Sequence, residues 1–390
     1  MKDNLIKDKN LHIIFSITLI AVMGVSSVTP AFPVIKESMG LTNRQVGLLI
    51  TFFSGPGIIL TPVLGILADR FSRKIILIPS LFLFSVAGIG IFFTDNFNVM
   101  LILRFIQGSG AASLGALNAT LIGDIFEGKN RAKAMGYNAS VLSIGTASYP
   151  AIGGLLTLLG WHYPFLLSAL AIPVGLWVIF GLNNPEPKEH EDIKTYIRSA
   201  MKTIFNPEAV IIFVASFIVF IILYGGFLTY FPLLLDERFS ATSVEIGFLM
   251  TVMSLVTALT SSQLGKINRR YNSTVLIKFG FLMYAVSFTV LPFMSGLILT
   301  ALPIIIFGVG HGVLFPSIQT RLTNLSSLKY RAALMSFNGM VLRGGQAFGP
   351  LIVGWFYAFG GMNGAFWLSA ILSFAMFMVT IPFLKTKASS

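Results

Sequence analysis

The chain has 390 residues, of which 55% are hydrophobic and only 11% are charged. An ordinary soluble protein carries about 25% charged residues, so 27 Lys and Arg with 15 Asp and Glu are too few to cover a soluble surface of this size. We therefore expect lipid to contact most of the surface. The absence of cysteine excludes disulfides and thiolate metal sites, and the four histidines have no metal-ligand spacing, so we expect no metal site.

Twelve apolar runs follow one another along the chain. Each is long enough to cross the hydrocarbon core of a membrane as a helix, which takes about 20 residues. The predicted spans are 11–34, 45–67, 75–94, 99–124, 134–159, 164–183, 207–234, 243–264, 274–294, 297–320, 332–357 and 363–384. The first run is too long for the apolar part of a signal peptide and no small-residue cleavage site follows it, so we expect no cleavable signal.

The longest polar break, at residues 184–206, contains two prolines and mixed charges. It predicts a cytoplasmic linker between an N-terminal six-helix half (residues 1–183) and a C-terminal six-helix half (residues 207–390).

The cationic residues predict the orientation in the membrane. The N-terminus, the even-numbered loops and the C-terminus hold 21 of the 27 Lys and Arg residues, whereas the odd-numbered loops hold three. Because cytoplasmic loops are enriched in Lys and Arg, both termini are expected in the cytoplasm. The net charge of +12 is then mainly a consequence of topology, and nucleic acid is not an expected partner.

An internal repeat links the two predicted halves. Residues 131–154 and 331–354 match at 11 of 24 positions with a constant offset of 200 and no gap. Span five therefore corresponds to span eleven. Parallel repeats of six helices with a site between them are a transporter architecture.

The loop between spans two and three reads GILADRFSRK over residues 65–74. A carboxylate such as Asp69 could cap a helix N-terminus, and Arg73 could pair with a carboxylate. The segment resembles the signature of the major facilitator superfamily, G-x-L-A-D-R-x-G-R-K, with Ser72 at a position where the family has Gly. The matching charged and glycine positions are Gly65, Asp69, Arg70, Arg73 and Lys74.

Two further segments support the resemblance. In span four, RFIQGSGAA resembles the family pattern R-x-x-Q-G-x-G-A-A, with Arg104, Gln107, Gly108 and Gly110 at the matching positions. Span five is similar to the pattern G-x8-G-x3-G-P-x2-G-G of drug–proton antiporters in this superfamily, with Tyr149 replacing one glycine. Small residues allow helices to approach closely in lipid. The expected packing residues of spans five and eleven are Gly136, Gly145, Pro150, Gly153, Gly154, Gly349 and Pro350.

The resemblance implies an all-α membrane protein with the major facilitator fold, twelve transmembrane helices in two six-helix pseudo-repeat halves. It also implies alternating access, in which the halves open a central site to one side of the membrane at a time. By the same resemblance, Asp69, Arg73 and Asp124 would form a cytoplasmic charge relay that controls gating.

Charged residues inside a membrane are costly and therefore suggest function. No Asp or Glu lies in the middle of a predicted span, whereas many antiporters of this family have a carboxylate there that carries the proton. The candidates for substrate or proton binding are Arg104, Gln107, His311 and Arg343. Arg104 and Arg343 could instead hold helices together, and His311 could be a packing residue. A cation at Arg343 favours an anionic substrate.

The sequence predicts secondary active transport of a small molecule, with proton-coupled efflux of drug-like or amphipathic compounds as the first choice. Uptake or exchange of a small organic anion is the alternative, and a non-transporting membrane sensor is an alternative of another class. We expect no enzyme, because a catalytic cluster and a nucleotide-binding motif are absent from the sequence. We also expect a monomer in the cytoplasmic membrane, powered by the proton gradient without a cofactor.

Overall fold

The computed structural model describes residues 5–183, 204–325 and 331–384. Within these ranges it leaves out the side chains of Ile66, Asp69, Arg70, Ala116, Ala119, Arg331, Ala332, Ala333 and Phe383. Every regular element in the described ranges is helical, which confirms the predicted all-α class. The predicted linker at 184–206 lies outside the described residues except for its last three positions.

The first six membrane helices occupy the N-terminal part of the chain. Helix α1 combines Lys9–Ser26, a 3-10 turn at Thr29–Ala31 and Phe32–Ser38, and α2 combines Asn43–Ser54 and Pro56–Phe71. The next four helices are α3 (Arg73–Phe92), α4 (Phe97–Ile125), α5 (Gly128–Thr157) and α6 (Tyr163–Gly181).

The remaining helices begin after the predicted linker. They are α7 (Pro207–Phe239), α8 (Ser243–Ser262), α9 (Ser273–Phe293), α10 (Ile298–Asn324) and a final stretch at Arg331–Phe383. The final stretch is broken at Gly361, where φ is 59° and ψ is −154°, values that glycine adopts without steric cost. It therefore contains two helices, α11 (331–360) and α12 (362–383), and the described chain contains the twelve predicted spans.

Several helices are longer than the predicted spans, because polar caps extend them beyond the apolar runs. Helix α1 begins at Lys9, and its first free N–H groups are satisfied by the Asp8 carboxylate, which accepts from the backbone N–H of Asn10 and of Leu11. A capping box between Thr42 and Gln45 begins α2.

The described helices group into two compact units. The first contains Met1–Glu189 and Ser243–Gly247, and the second contains His190–Thr242 and Phe248–Ser390. Large apolar side chains are exposed in both, including Phe180 at 82% and Ile298 at 84%. Such exposure on many helices is expected for a protein that lipid surrounds.

Close helix contacts repeat in the two units at the offset of 200. In the first unit, a Cβ atom at Gly108 of α4 would overlap the carbonyl oxygen of Phe53 in α2. In the second unit, a Cβ atom at Gly308 of α10 would lie 2.8 Å from the carbonyl oxygen of Met253 in α8. Glycine is thus required at equivalent crossings, since any side chain would separate the helices.

Hydrogen bonds between the same helices repeat in the same way. The Thr61 hydroxyl donates to the Ala112 carbonyl over 2.9 Å, and the Ser261 hydroxyl donates to the Gly312 carbonyl over 2.9 Å. The repeat that the sequence reveals in α5 and α11 therefore extends to α2 and α4, and to α8 and α10.

Two glycines of α5 provide a matched test of this packing. A Cβ atom at Gly153 would overlap the Ser27 carbonyl oxygen in α1, whereas no described atom lies within 4 Å of the Cβ position at Gly136. We expect Gly153→Ala to lower the melting temperature of the detergent-solubilised protein by several degrees, because α1 and α5 must separate.

The control, Gly136→Ala, should leave the melting temperature unchanged or raise it slightly, since alanine favours the helix by up to about 1 kcal/mol. Thermal melts followed by size-exclusion chromatography measure both variants. Equal melting temperatures for the two variants would contradict the packing role of Gly153.

Candidate functional site

The turn between α2 and α3 contains the first group of predicted site residues. Arg73 begins α3, and its Nε donates to Oδ2 of Asp124 at the end of α4 over 3.1 Å. The exposed fractions of the two side chains are only 12% and 19%, so water screens this ion pair weakly. The side chains of Asp69 and Arg70 lie outside the description, and the complete relay with Asp69 stays a prediction.

Ser72 caps the N-terminus of α3. The Ser72 hydroxyl accepts a hydrogen bond from the backbone N–H of Lys74 over 3.2 Å, whereas Asp69 lies inside α2. Ser72 has φ of 148° and ψ of 143°, a conformation that costs about 1–3 kcal/mol for a residue with a side chain. Serine at this position of the signature therefore keeps the turn and introduces backbone strain.

Arg131 fixes the end of α4 beside Asp124. Its Nε donates to the Phe126 carbonyl over 3.0 Å, and a second nitrogen donates to the Gly123 carbonyl. A cation at the carboxyl end of a helix satisfies free carbonyls and favours the helix dipole. This contact accounts for the arginine that begins the sequence repeat in the first unit.

Arg104 is fully buried in the first unit. Its guanidinium donates to the Leu49 carbonyl of α2 over 3.1 Å and to the Gly24 carbonyl of α1 over 2.9 Å. It also donates to the Gln107 side chain over 2.8 Å, and it lies 4.4 Å from the centre of the Phe53 ring. Arg104 thus joins three helices, which supports the structural alternative for this residue.

His311 lies in α10, where it forms a hydrogen bond with the hydroxyl of Tyr284 in α9. The His311 ring is parallel to the Phe315 ring, with a centroid distance of 5.9 Å and an interplanar angle of 1°. Tyr284 is fully buried, while His311 is partly exposed. The imidazole is therefore held in one orientation and remains accessible on one side.

Arg343 lies in α11, one helical turn before Gln346. Its guanidinium donates to the Gln346 side-chain oxygen over 3.1 Å. A Cβ atom at Gly345, two residues further on, would lie 2.7 Å from the Phe220 Cβ atom, so this part of α11 packs against α7. Arg343 and Tyr224 are partly exposed, unlike Arg104. The two candidate arginines thus differ in their surroundings, since one is enclosed by backbone carbonyls and the other lies on an accessible surface.

The residues of the predicted packing motif differ in how closely a neighbouring helix approaches them. Glycines at which a Cβ atom would come within about 3 Å of a neighbouring helix are Gly108, Gly110, Gly145, Gly153, Gly154 and Gly349. Pro150 and Pro350 both lie inside their helices. No described atom lies within 4 Å of the Cβ position at Gly65 or Gly136.

The sequence interpretation missed a buried polar group in the first unit. The Asn118 amide of α4 donates to the Thr18 hydroxyl of α1, and that hydroxyl lies within hydrogen-bond distance of the Asn138 side-chain oxygen of α5. The signal available was two asparagines in otherwise apolar spans, since polar side chains in lipid pair across helices. Within the described ranges, no three His, Asp or Glu side chains come together as metal ligands.

The described ranges contain twelve apolar helices, helix contacts that repeat in the two units, and charged residues inside the helices. These features define a multi-pass membrane protein of the transporter class. Residues 14–324 and 234–390 match the family model described as Major Facilitator Superfamily. The chain belongs to the Major Facilitator Superfamily.

Two curated proteins and one solved structure are similar to this chain. Multidrug resistance protein 1 of Bacillus subtilis (strain 168) is 29% identical over 357 residues, which cover 89% of this chain and 90% of the relative. The Bacillibactin exporter of the same organism is 26% identical over 382 residues, which cover 94% of this chain and 92% of the relative. A mutant of the nucleoside transporter NupG has the same fold, with a TM-score of 0.80 and 15% identity over 97% of this chain and 100% of that chain.

Substitutions at Ser72 test the strained turn. We expect Ser72→Gly to stabilise the protein by about 1 kcal/mol, because glycine removes the strain and loses only a few tenths of a kcal/mol of capping energy. Ser72→Ala should destabilise it by about 1 kcal/mol, because alanine keeps the strain and loses the cap. Chemical denaturation in detergent measures both, and a glycine variant less stable than the alanine variant would rule out strain.

Arg104→Lys tests the structural role of the buried arginine. Lysine keeps the charge but does not bridge three helices, so we expect a loss of about 2–4 kcal/mol in stability from unsatisfied carbonyls. Arg44→Lys, at an exposed position in the first turn of α2, is the control and should behave as the wild type. Wild-type stability of Arg104→Lys would favour a role in proton coupling instead.

Proposed function

We infer that this chain is a secondary active transporter that exports drug-like or amphipathic small molecules in exchange for protons, by alternating access. The observation that carries this inference is the match along at least 89% of the chain to a multidrug resistance protein and to an exporter. Both matches cover at least 90% of the relative's own length, so the same set of membrane helices is compared throughout.

The contacts of the first unit support a gating role for the α2–α3 turn. The Arg73–Asp124 pair joins α3 to α4, and the Arg131 contacts hold the last carbonyls of α4 beside it. A mostly buried ion pair at a helix end has two discrete arrangements, formed and broken. Such a two-state element is what a gate between two conformations requires.

The proton gradient is the proposed energy source. The sequence has no Asp or Glu in the middle of a span, and His311 is a partly exposed titratable side chain inside α10. The export direction, the cytoplasmic membrane, the cytoplasmic termini and the monomeric state belong to this proposal. Nucleic acid and an enzymatic reaction have no part in it.

Transport in proteoliposomes tests this function. With an acidic lumen, we expect a fluorescent drug-like compound to accumulate inside, and a proton ionophore to abolish the accumulation. Asp124→Asn should reduce the initial rate about tenfold or more, because the ion pair with Arg73 is lost. Glu127→Gln, an exposed carboxylate three residues away, is the matched control and should transport as the wild type.

Three outcomes would contradict the proposal. Accumulation that is independent of the gradient would exclude proton exchange. Uptake of an organic anion together with protons would favour the alternative of anion uptake, while binding without any flux would favour a sensor.

A further inference from the structure

The internal repeat shows where the two units differ. At the offset of 200, the second unit has Arg343, His311 and Phe315 where the first unit has Ser143, Ala111 and Gly115. The crossings at Gly108 and Gly308 are equivalent in the two units, so this shared packing does not account for the three larger residues. A function that belongs to one half is expected where such differences come together, and all three lie in one group of contacts.

Four rings of the second unit form a continuous row, which we name the aromatic row: Tyr224, Phe220, Phe315 and His311. Tyr224 stacks on Phe220 with a centroid distance of 5.6 Å and an angle of 18°. Phe220 contacts Phe315 at 5.4 Å, and Phe315 is parallel to His311 at 5.9 Å. The row connects α7 to α10.

A cation lies where α11 packs against this row. A Cβ atom at Gly345, two residues after Arg343, would lie 2.7 Å from the Cβ atom of Phe220 in the row. Gln346 accepts a hydrogen bond from the Arg343 guanidinium over 3.1 Å. Because Gln346 is 92% buried, it anchors the guanidinium from the protein side. The row and Arg343 therefore combine flat apolar faces with a positioned positive charge.

The aromatic row is partly exposed, and the rings on which it packs are fully buried. Tyr224, Phe315 and His311 are partly exposed, whereas Phe307 and Tyr284 beneath them are fully buried. Phe307 lies 6.1 Å from the His311 ring centre, and Tyr284 forms a hydrogen bond with His311. A ligand that stacks on the row would thus meet rings already fixed in place, which lowers the entropy cost of binding.

The backbone of α7 is also adapted at this point. Tyr224 lies in a π-helical segment, Ile222–Tyr230, and its carbonyl accepts a hydrogen bond from the Thr229 hydroxyl over 2.7 Å. π-helical turns within α-helices are rare and occur frequently at functional sites. Tyr224 therefore belongs to a part of α7 whose backbone departs from the regular α-helix.

The charges inside the spans of this part of the chain favour an anionic ligand. Residues 246–390 contain no Asp or Glu, and Lys278 and Arg343 are the two basic residues of this stretch that lie inside predicted spans. Glu208, at the start of α7, pairs with Arg321 near the cytoplasmic end of α10. In a low-dielectric membrane interior a positive potential opposes a cationic ligand and attracts an anionic one.

We propose that the aromatic row and Arg343 bind the substrate, and that this substrate is a flat aromatic compound with a carboxylate or a similar anionic group. Its rings stack on Phe315 and His311, and its anion accepts hydrogen bonds from the Arg343 guanidinium and the Tyr224 hydroxyl. The proposal rests on the proposed exporter function and names the substrate class for it.

Binding of two matched probes to the full chain in lipid nanodiscs tests this site. The probes are 4-(1-pyrenyl)butyrate and 4-(1-pyrenyl)butyltrimethylammonium, which share the ring system and differ in charge. By fluorescence anisotropy at neutral pH, we expect the carboxylate to bind at least about tenfold more tightly than the ammonium. Equal affinities, or tighter binding of the ammonium, would overturn the proposal.

Variants separate the charge from the rings. Arg343→Gln should weaken carboxylate binding about 10- to 100-fold and leave ammonium binding unchanged or tighter. Phe315→Leu should weaken both probes about threefold to tenfold through lost stacking. Phe374→Leu, at an exposed ring of α12, is the matched control and should change neither affinity.

If Arg343→Gln does not fold, Tyr224→Phe takes its place and should weaken the carboxylate selectively by about threefold to tenfold. An equal effect of either variant on both probes would overturn the charge role.

The two proposals fail in different ways. Selective carboxylate binding without transport in acid-loaded proteoliposomes would refute the exporter function and keep the site. Gradient-driven transport of the ammonium with no preference for the carboxylate would refute the site and keep the exporter function.

Discussion

Close contact between helix backbones is the constraint on which the rest of the structure depends. In hydrocarbon no hydrophobic force draws apolar helices together, so van der Waals contact and hydrogen bonds between helices must do so. The crossings at Gly108 and Gly153, where a Cβ atom would overlap a carbonyl oxygen, are points at which only glycine permits that contact. Each unit holds its charged and polar side chains within this helical framework.

The same residue type has different roles because the framework encloses it differently. Arg104 is surrounded by carbonyls of α1 and α2 and by the Phe53 ring, so its donors mainly fix helices. Arg343 is partly exposed, its guanidinium donates to the Gln346 side chain, and α11 packs against Phe220 of the aromatic row two residues further on. Arg73 lies between these cases, since it is mostly buried and its partner is the carboxylate of Asp124.

The two units share a set of equivalent helix contacts and differ at positions outside those contacts. The hydroxyl–carbonyl bonds of Thr61 and Ser261 show that the two units keep equivalent helix contacts. Positions that do not serve packing have diverged, and the larger side chains of the second unit form the aromatic row. Such a transporter has equivalent helix packing in both units but needs a binding surface in only one of them.

The sequence by itself determined the all-α class, the twelve spans and the repeat, because hydrophobic length and residue spacing are local properties. The family followed from motifs at residues 65–74 and in spans four and five. Only the tertiary structure decided that Arg104 binds backbone carbonyls and that Phe220 and Phe315 connect α7 to His311. These facts depend on contacts between helices more than 50 residues apart, which helical periodicity along one chain segment does not encode. The structure also decided that Ser72 caps α3, because this local bond needs a backbone conformation that serine does not favour.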